Sequence, residues 1–205
     1  MFQGFPPDAL RFYAELEANN EKAWWQANKA RYEAHVRAPM ELLLDALYDE
    51  FGEAKVFRPY RDVRFSKDKT PYKTQVAATI GPFYVGLGAS GLHAGGGRYH
   101  LDREELRRFR RAVDEPVHAR RLHELAAELA EQGLPVRGEE LRTAPRGFSA
   151  DHPEIRWLRH KAVYAIRSWE PAPAWVHTPE AAERVAGVWR ALGPLCRWLD
   201  DVVAG

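Results

Sequence analysis

The chain has 205 residues, 45% hydrophobic and 12% aromatic, with a formal net charge of +1. That length suits a single domain, residues 1–205, with a sizeable core. The near-neutral balance excludes a global pull toward nucleic acid or membrane, so any basic function has to be local. Cys196 is the one cysteine, which excludes an intrachain disulfide and a cysteine zinc cluster.

The opening residues, MFQGFPPDALRFYAEL, lack the basic start and continuous apolar core of a signal peptide. The densest apolar run, MELLLDALY, is interrupted by Asp45 and is too short to span a bilayer. A cytoplasmic protein without membrane association is the expectation. Pro6, Pro7 and Asp8 predict a helix start, followed by Leu10, Tyr13 and Leu16 at helical spacing. ANNE ends that helix, and Asn20 is placed to cap the next by accepting a hydrogen bond from a free backbone N–H. Trp25, Tyr32, Val36, Met40, Leu43, Leu44 and Leu47 then mark one apolar stripe. Pro39 within it either kinks one long helix or starts a second.

The period changes after Gly52. Val63 and Phe65 alternate with Asp62, Arg64 and Ser66, as in a half-buried strand. SKDKTP reads as a turn, YKTQVAATI and PFYVGLGA as strands, SGLHAGGG as a flexible glycine-rich link, and RYHL as a further strand. Short strands joined by short turns favour an antiparallel meander. Asp102 and Glu105 have the spacing of a capping box, and Leu101 and Leu106 that of a hydrophobic staple. The helix they open turns Leu106, Phe109 and Val113 inward. Residues 118–132 predict another helix, with Leu122, Leu125 and Leu129 inward and Gly133 as terminator. Pro153 opens a short helix, KAVYAI reads as a strand, and Thr178, Pro179 and Glu180 start the last helix. The fold class is α+β: helices, an antiparallel sheet in the middle of the chain, then helices.

The segment RPYRDVRFSKDKTPYK, residues 58–73, holds six basic and two acidic residues, a net +4 that leaves the rest of the chain at −3. A hairpin there would bring Arg64, Lys73 and Gln75 to one sheet face. Arginine binds carboxylate or phosphate with paired hydrogen bonds, and lysine adds a mobile charge. Tyr60 and Tyr72 flank the run and offer rings to stack on. The functional reading is a small phosphorylated or carboxylated ligand held by Arg58, Arg61, Arg64, Lys69, Tyr72 and Lys73, with Asp62 as the most plausible acid–base group if there is catalysis. The structural reading pairs Arg61 and Arg64 with Asp62, Asp68 or distant carboxylates. A non-catalytic module for nucleic acid or an acidic protein ranks below the small ligand.

The same run resembles the signature of the bacterial domain of unknown function 2461 family, through Arg58, Arg61, Asp62, Arg64, Phe65, Asp68, Lys69 and Tyr72. NNEKAWW, RYEAHVRAP, GGGRYHLDREELRRFR and APRGFSADHPEIRWLRHK also resemble that family, so the similarity spans nearly the whole chain. The resemblance implies a shared fold and marks the basic segment. It implies no activity, cofactor or catalytic residue.

Elsewhere, His93, His100, His152, His160 and His177 show no ligand-pair spacing, so no histidine metal site is expected. No cofactor is expected either. Mg²⁺ stays open, since one carboxylate plus a ligand's own phosphates can hold it. GLHAGGGRY lacks the context of a dinucleotide fold or P-loop. Ser66, Ser90, Ser149 and Ser168 lack a nucleophile elbow. The arginines at 107, 108, 110 and 111 read as a solvated, partly ion-paired helix face. Catalysis, substrate and oligomeric state do not follow from the sequence.

Overall fold

A computed structural model describes residues 1–64 and 66–203. Pro7 opens α1 (Pro7–Ala18), where its fixed φ suits the first turn and its missing N–H costs nothing. Ala9, Phe12, Tyr13 and Leu16 are buried at helical spacing. α2 (Lys22–Tyr32) runs through a π-helical turn, Glu33–Arg37, into α3 (Ala38–Phe51). Pro39 lies in the first turn of α3. The rod therefore continues past the proline, with the wider turn placed immediately before the residue that cannot donate. All seven residues of the predicted stripe, from Trp25 to Leu47, are buried. Gly52, with φ 94°, ends α3. Arg31 ties α2 to α1, donating to both carboxylate oxygens of Asp8 at 2.7 and 2.8 Å and to Glu15.

The strands are β1 (Ala54–Val56), β2 (Gln75–Ile80), β3 (Phe83–Gly88), β4 (Leu92–Arg98) and β5 (Val163–Trp169), in that order across one antiparallel sheet. β1 pairs with β2 through Lys55 opposite Thr79, and β2 with β3 through Gln75 opposite Gly88. α1 packs on β3 and α3 on β1. The protein is thus α+β, with helices before and after the sheet.

The chain divides into two compact units. One comprises Met1–Ala94 and Ser168–Gly187, the other Gly95–Arg167 and the chain from Val188 onward. In the second unit, α4 (Arg103–Asp114) begins with the full capping box: Asp102 accepts from Glu104 and Glu105, and Glu105 accepts from the Asp102 N–H. Phe109 and Val113 are buried, while Leu106 is half-buried. α5 (Pro116–Glu131) buries Leu122, Leu125 and Leu129 and ends at Gly133, whose φ of 70° suits only glycine at little cost. α6 is the short turn Ile155–Leu158, and α7 spans Glu180–Val203. Val185, Val188, Trp189, Leu192, Leu195, Cys196 and Leu199 are all buried along α7, and burial pushes the Cys196 thiol up to about 12.

Two strand expectations need correction. The stretch read as a flexible link, LHAGGGR, is β4 itself, and RYHL follows it rather than forming the strand. The glycines answer a close approach. A Cβ on Gly97 would lie 2.4 Å from the Val163 carbonyl oxygen, and one on Gly95 2.7 Å from that of Ala165. Gly97 also has φ 123°. Glycine here is the cost of tight backbone packing, whereas in a sequence it signals flexibility.

Gly97→Ala is expected to destabilise the protein by roughly 2–4 kcal/mol, through backbone clash and strain together. Gly187→Ala, inside α7 with nothing within 4 Å of its Cβ position, should instead be neutral or stabilise by up to about 1 kcal/mol. Urea denaturation of the two variants checks both signs.

Candidate functional site

The basic segment is a loop. Residues 61–64 have no strand, which corrects the expectation built on Val63, and Phe65 lies outside the described residues. One antiparallel bridge, Tyr60 opposite Tyr72, closes the loop. Arg61 N–H donates to the Pro71 carbonyl at 2.9 Å and Lys73 N–H to that of Pro59 at 2.8 Å. Pairing stops there for local reasons. Asp62 accepts from the Arg64 N–H at 3.2 Å, and Asp68 accepts from the Thr70 N–H at 2.9 Å. Such aspartate turns compete directly with a strand ladder.

The bridge bonds use the flanking residues, so the N–H and C=O of Tyr72 point away from Tyr60. Asn20 takes both. Tyr72 N–H donates to Asn20 Oδ1 at 3.0 Å, and Asn20 Nδ2 donates to the Tyr72 carbonyl at 2.9 Å. Asn20 is therefore not the helix cap it was expected to be. Glu21 occupies that position in α2, without a side-chain cap bond. Trp25 completes the attachment by stacking on Tyr72, with ring centroids 4.2 Å apart and planes within 9°. Tyr72 is buried, so its ring supports the loop from behind, whereas Tyr60 is 48% exposed.

Lys67 is exposed, and the other five cations divide into two sets. Arg64 donates to both oxygens of Asp62 at 3.0 and 2.7 Å. Arg61 donates to Asp68 and Thr70. The side-chain bond from Arg64 holds the Asp62 carboxyl below its ordinary value. The Thr70 N–H, then Arg61, pull Asp68 down to about 2. Lys69 donates to the Val63 carbonyl at 2.9 Å. Arg61, Arg64 and Lys69 thus close the loop on itself. Arg58 and Lys73 differ. Among the described residues neither has a side-chain hydrogen bond or a carboxylate within 4 Å. Lys73 lies over the Phe57 ring at 5.3 Å, and burial, reinforced by the charge of Arg58, pushes its ammonium below the ordinary value. The expected grouping of Arg64, Lys73 and Gln75 is not formed, because Gln75 donates to Tyr84 Oη at 2.9 Å and Arg64 stays in the loop.

The model of a family described as conserved hypothetical protein, DUF2461, matches residues 8–198. The chain belongs to the DUF2461 family. A search of curated proteins found no match.

Beyond the loop, His93 of this DUF2461 chain sits in a constellation that sequence spacing missed. His93 Nδ1 lies 3.0 Å from Ser168 Oγ, His93 Nε2 lies 3.2 Å from Glu170 Oε1, and Ser90 Oγ donates to the same Glu170 oxygen at 3.1 Å. More than seventy positions separate His93 from Ser168, so no local motif could announce it. Both ring nitrogens are engaged, which fixes the imidazole orientation. On α4, Arg107 pairs with Glu104, and Arg108 donates to the Val203 carbonyl. Arg110 is half-buried and donates to the Leu158 carbonyl, so it is not part of a solvated face. Arg107, Arg108, Arg111 and His118 line a cleft of about 320 Å³ that also contains Glu115 and Asp201. Among the described residues no group of three or more histidines, cysteines or carboxylates is arranged to hold a metal ion, and no helix is long and apolar enough to cross a membrane.

Asn20→Ala leaves two backbone groups of Tyr72 without partners and should cost roughly 1–3 kcal/mol. Faster amide exchange at Tyr72 and Lys73 than in the helices would locate the loss in the loop. The pH dependence of the loop follows from Asp68. Its folded pKa is depressed, so its contribution is complete above the ordinary carboxylate range near 4 and is lost as pH falls toward 2. In an NMR titration, Arg61→Ala should move the Asp68 midpoint upward.

Proposed function

We propose that the protein binds a small phosphorylated or otherwise anionic ligand, with Arg58 and Lys73 as its principal contacts. One observation carries this reading: neither Arg58 nor Lys73 has a carboxylate within 4 Å among the described residues, while Lys73, pushed below its ordinary value first by burial, also feels the charge of Arg58. Like charges held close in partly desolvated surroundings oppose folding. A bound anion would turn that repulsion into attraction. The two aspartates of the loop make their direct pairs with Arg64 and Arg61, and Asp62 feels the charge of Arg58 only from beyond ion-pair distance.

Arg61, Arg64, Lys69 and Tyr72 shape the site in this reading. Arg64, 76% exposed in its side chain, stands at the solvent edge of the loop on Asp62. Asp62 is a weak proton acceptor while Arg64 holds it, which favours binding over acid–base catalysis. A cytoplasmic setting agrees with the single cysteine, which needs no oxidising compartment.

Calorimetric titration with inorganic phosphate and pyrophosphate tests the proposal. Arg58→Ala and Lys73→Ala should each weaken pyrophosphate binding about tenfold or more, a loss of about 1.4 kcal/mol, while thermal stability holds or rises. Undiminished binding in both variants would overturn it. Tight binding of a single-stranded oligonucleotide, falling with salt at a log–log slope of about −0.7 per phosphate contact, would shift the assignment to a nucleic-acid groove.

A further inference from the structure

We infer that the ligand of the basic loop carries a planar ring that stacks on Tyr60, as a nucleoside monophosphate does. This rests on the anion reading above and adds the chemical class of the ligand.

Tyr60 and Tyr72 face each other across one bridge, yet their fates differ. Tyr72 is 4% exposed and lies flat against Trp25, while Tyr60 is 48% exposed. The exposed ring is held on its inner side. Its centroid lies 5.4 Å from that of Tyr72 and 6.3 Å from that of Trp25. Trp25 in turn packs on Tyr32 at 4.8 Å and on Phe12 at 5.9 Å, both fully buried. Tyr60 is thus the outermost ring of an aromatic ladder that starts in the core. Its backbone is fixed by the bridge, with Pro59 before it. A solvated tyrosine on a free loop would lose rotamer entropy on stacking, whereas this one has already lost much of it on folding.

The spacing to the cations is set by the chain. Arg58 precedes Tyr60 by two residues, and Lys73 is adjacent to its bridge partner. The Cα atoms of Arg58 and Lys73 are therefore roughly 4–7 Å from that of Tyr60, but Lys73, one residue past the bridge partner, leaves on the opposite face, over the Phe57 ring. One sugar spans such a gap between a base and a phosphate. Stacking is tolerant of base identity because every base offers a π-face. Tyr60 therefore defines a class of ligand and not a particular base. The loop would then divide the labour: ring on Tyr60, phosphate on Arg58, and the charge of Lys73, which feels that of Arg58, added from the far side of the strand.

The test is calorimetric titration of the full chain with inorganic phosphate, ribose 5-phosphate and adenosine monophosphate, repeated on Tyr60→Ala and Tyr60→Phe. The expected result is that adenosine monophosphate binds about tenfold tighter than ribose 5-phosphate. Tyr60→Ala should bring the ratio of the two affinities close to one, and Tyr60→Phe should preserve it. Because the readout is a ratio within one protein, a general loss of loop order does not mimic it. Equal affinity for the two sugar phosphates in the unmodified protein would overturn the ring inference and leave the anion site standing. Failure of all three probes to bind would overturn both.

Discussion

Two hydrogen bonds from one asparagine determine where the basic loop sits. The loop has no sheet of its own beyond a single bridge, and its arms are dominated by aspartate turns. What attaches it to a folded scaffold is Asn20, whose amide pairs with both backbone groups of Tyr72 as a neighbouring strand would. Trp25, one helical turn further on, stacks on the same tyrosine. The α1–α2 connection therefore holds residue 72 in place, and the positions of Tyr60, Lys73 and Arg58 follow from it. A net-repulsive cluster of cations would otherwise favour a more open chain.

Elements governed by local rules were legible in the sequence. The capping box at Asp102 and Glu105 formed as expected, because both partners lie within one turn. The stripe from Trp25 to Leu47 and the positions from Val185 to Leu199 are buried because helical periodicity depends only on spacing. Apart from the strand expected at 61–64, which local aspartate turns displace, the failures involve a distant partner. Asn20 satisfies the rule for a helix cap, but a backbone 52 positions away uses its amide more fully. The glycines of β4 read as a link because the carbonyls of Val163 and Ala165, which exclude a Cβ there, lie far along the chain. The Ser168–His93–Glu170 chain escaped for the same reason.

Within the site the division is similar. Charge composition marked residues 58–73, and the family resemblance marked the same run. Composition could not say which cations were neutralised. The answer depended on backbone turns that aim Asp62 at Arg64 and bring Asp68 to Arg61. The two arginines that looked best suited to an anion proved to be the ones closing the loop. Arg58 and Lys73, at its two ends, have no direct ion pair among the described residues, Asp62 acting on Arg58 only at longer range, and that imbalance is the physical basis for assigning a ligand.

The most direct test of this account is the titration of the Lys73 ammonium itself, followed by NMR with and without saturating inorganic phosphate. The account predicts a midpoint below the ordinary lysine value of about 10.4 in the free protein, because of burial and the charge of Arg58. It predicts an upward move when phosphate binds, and by linkage tighter phosphate binding as pH falls through the free midpoint. An ordinary midpoint that phosphate does not move would contradict the claim that these two cations form a site lacking its counter-charge.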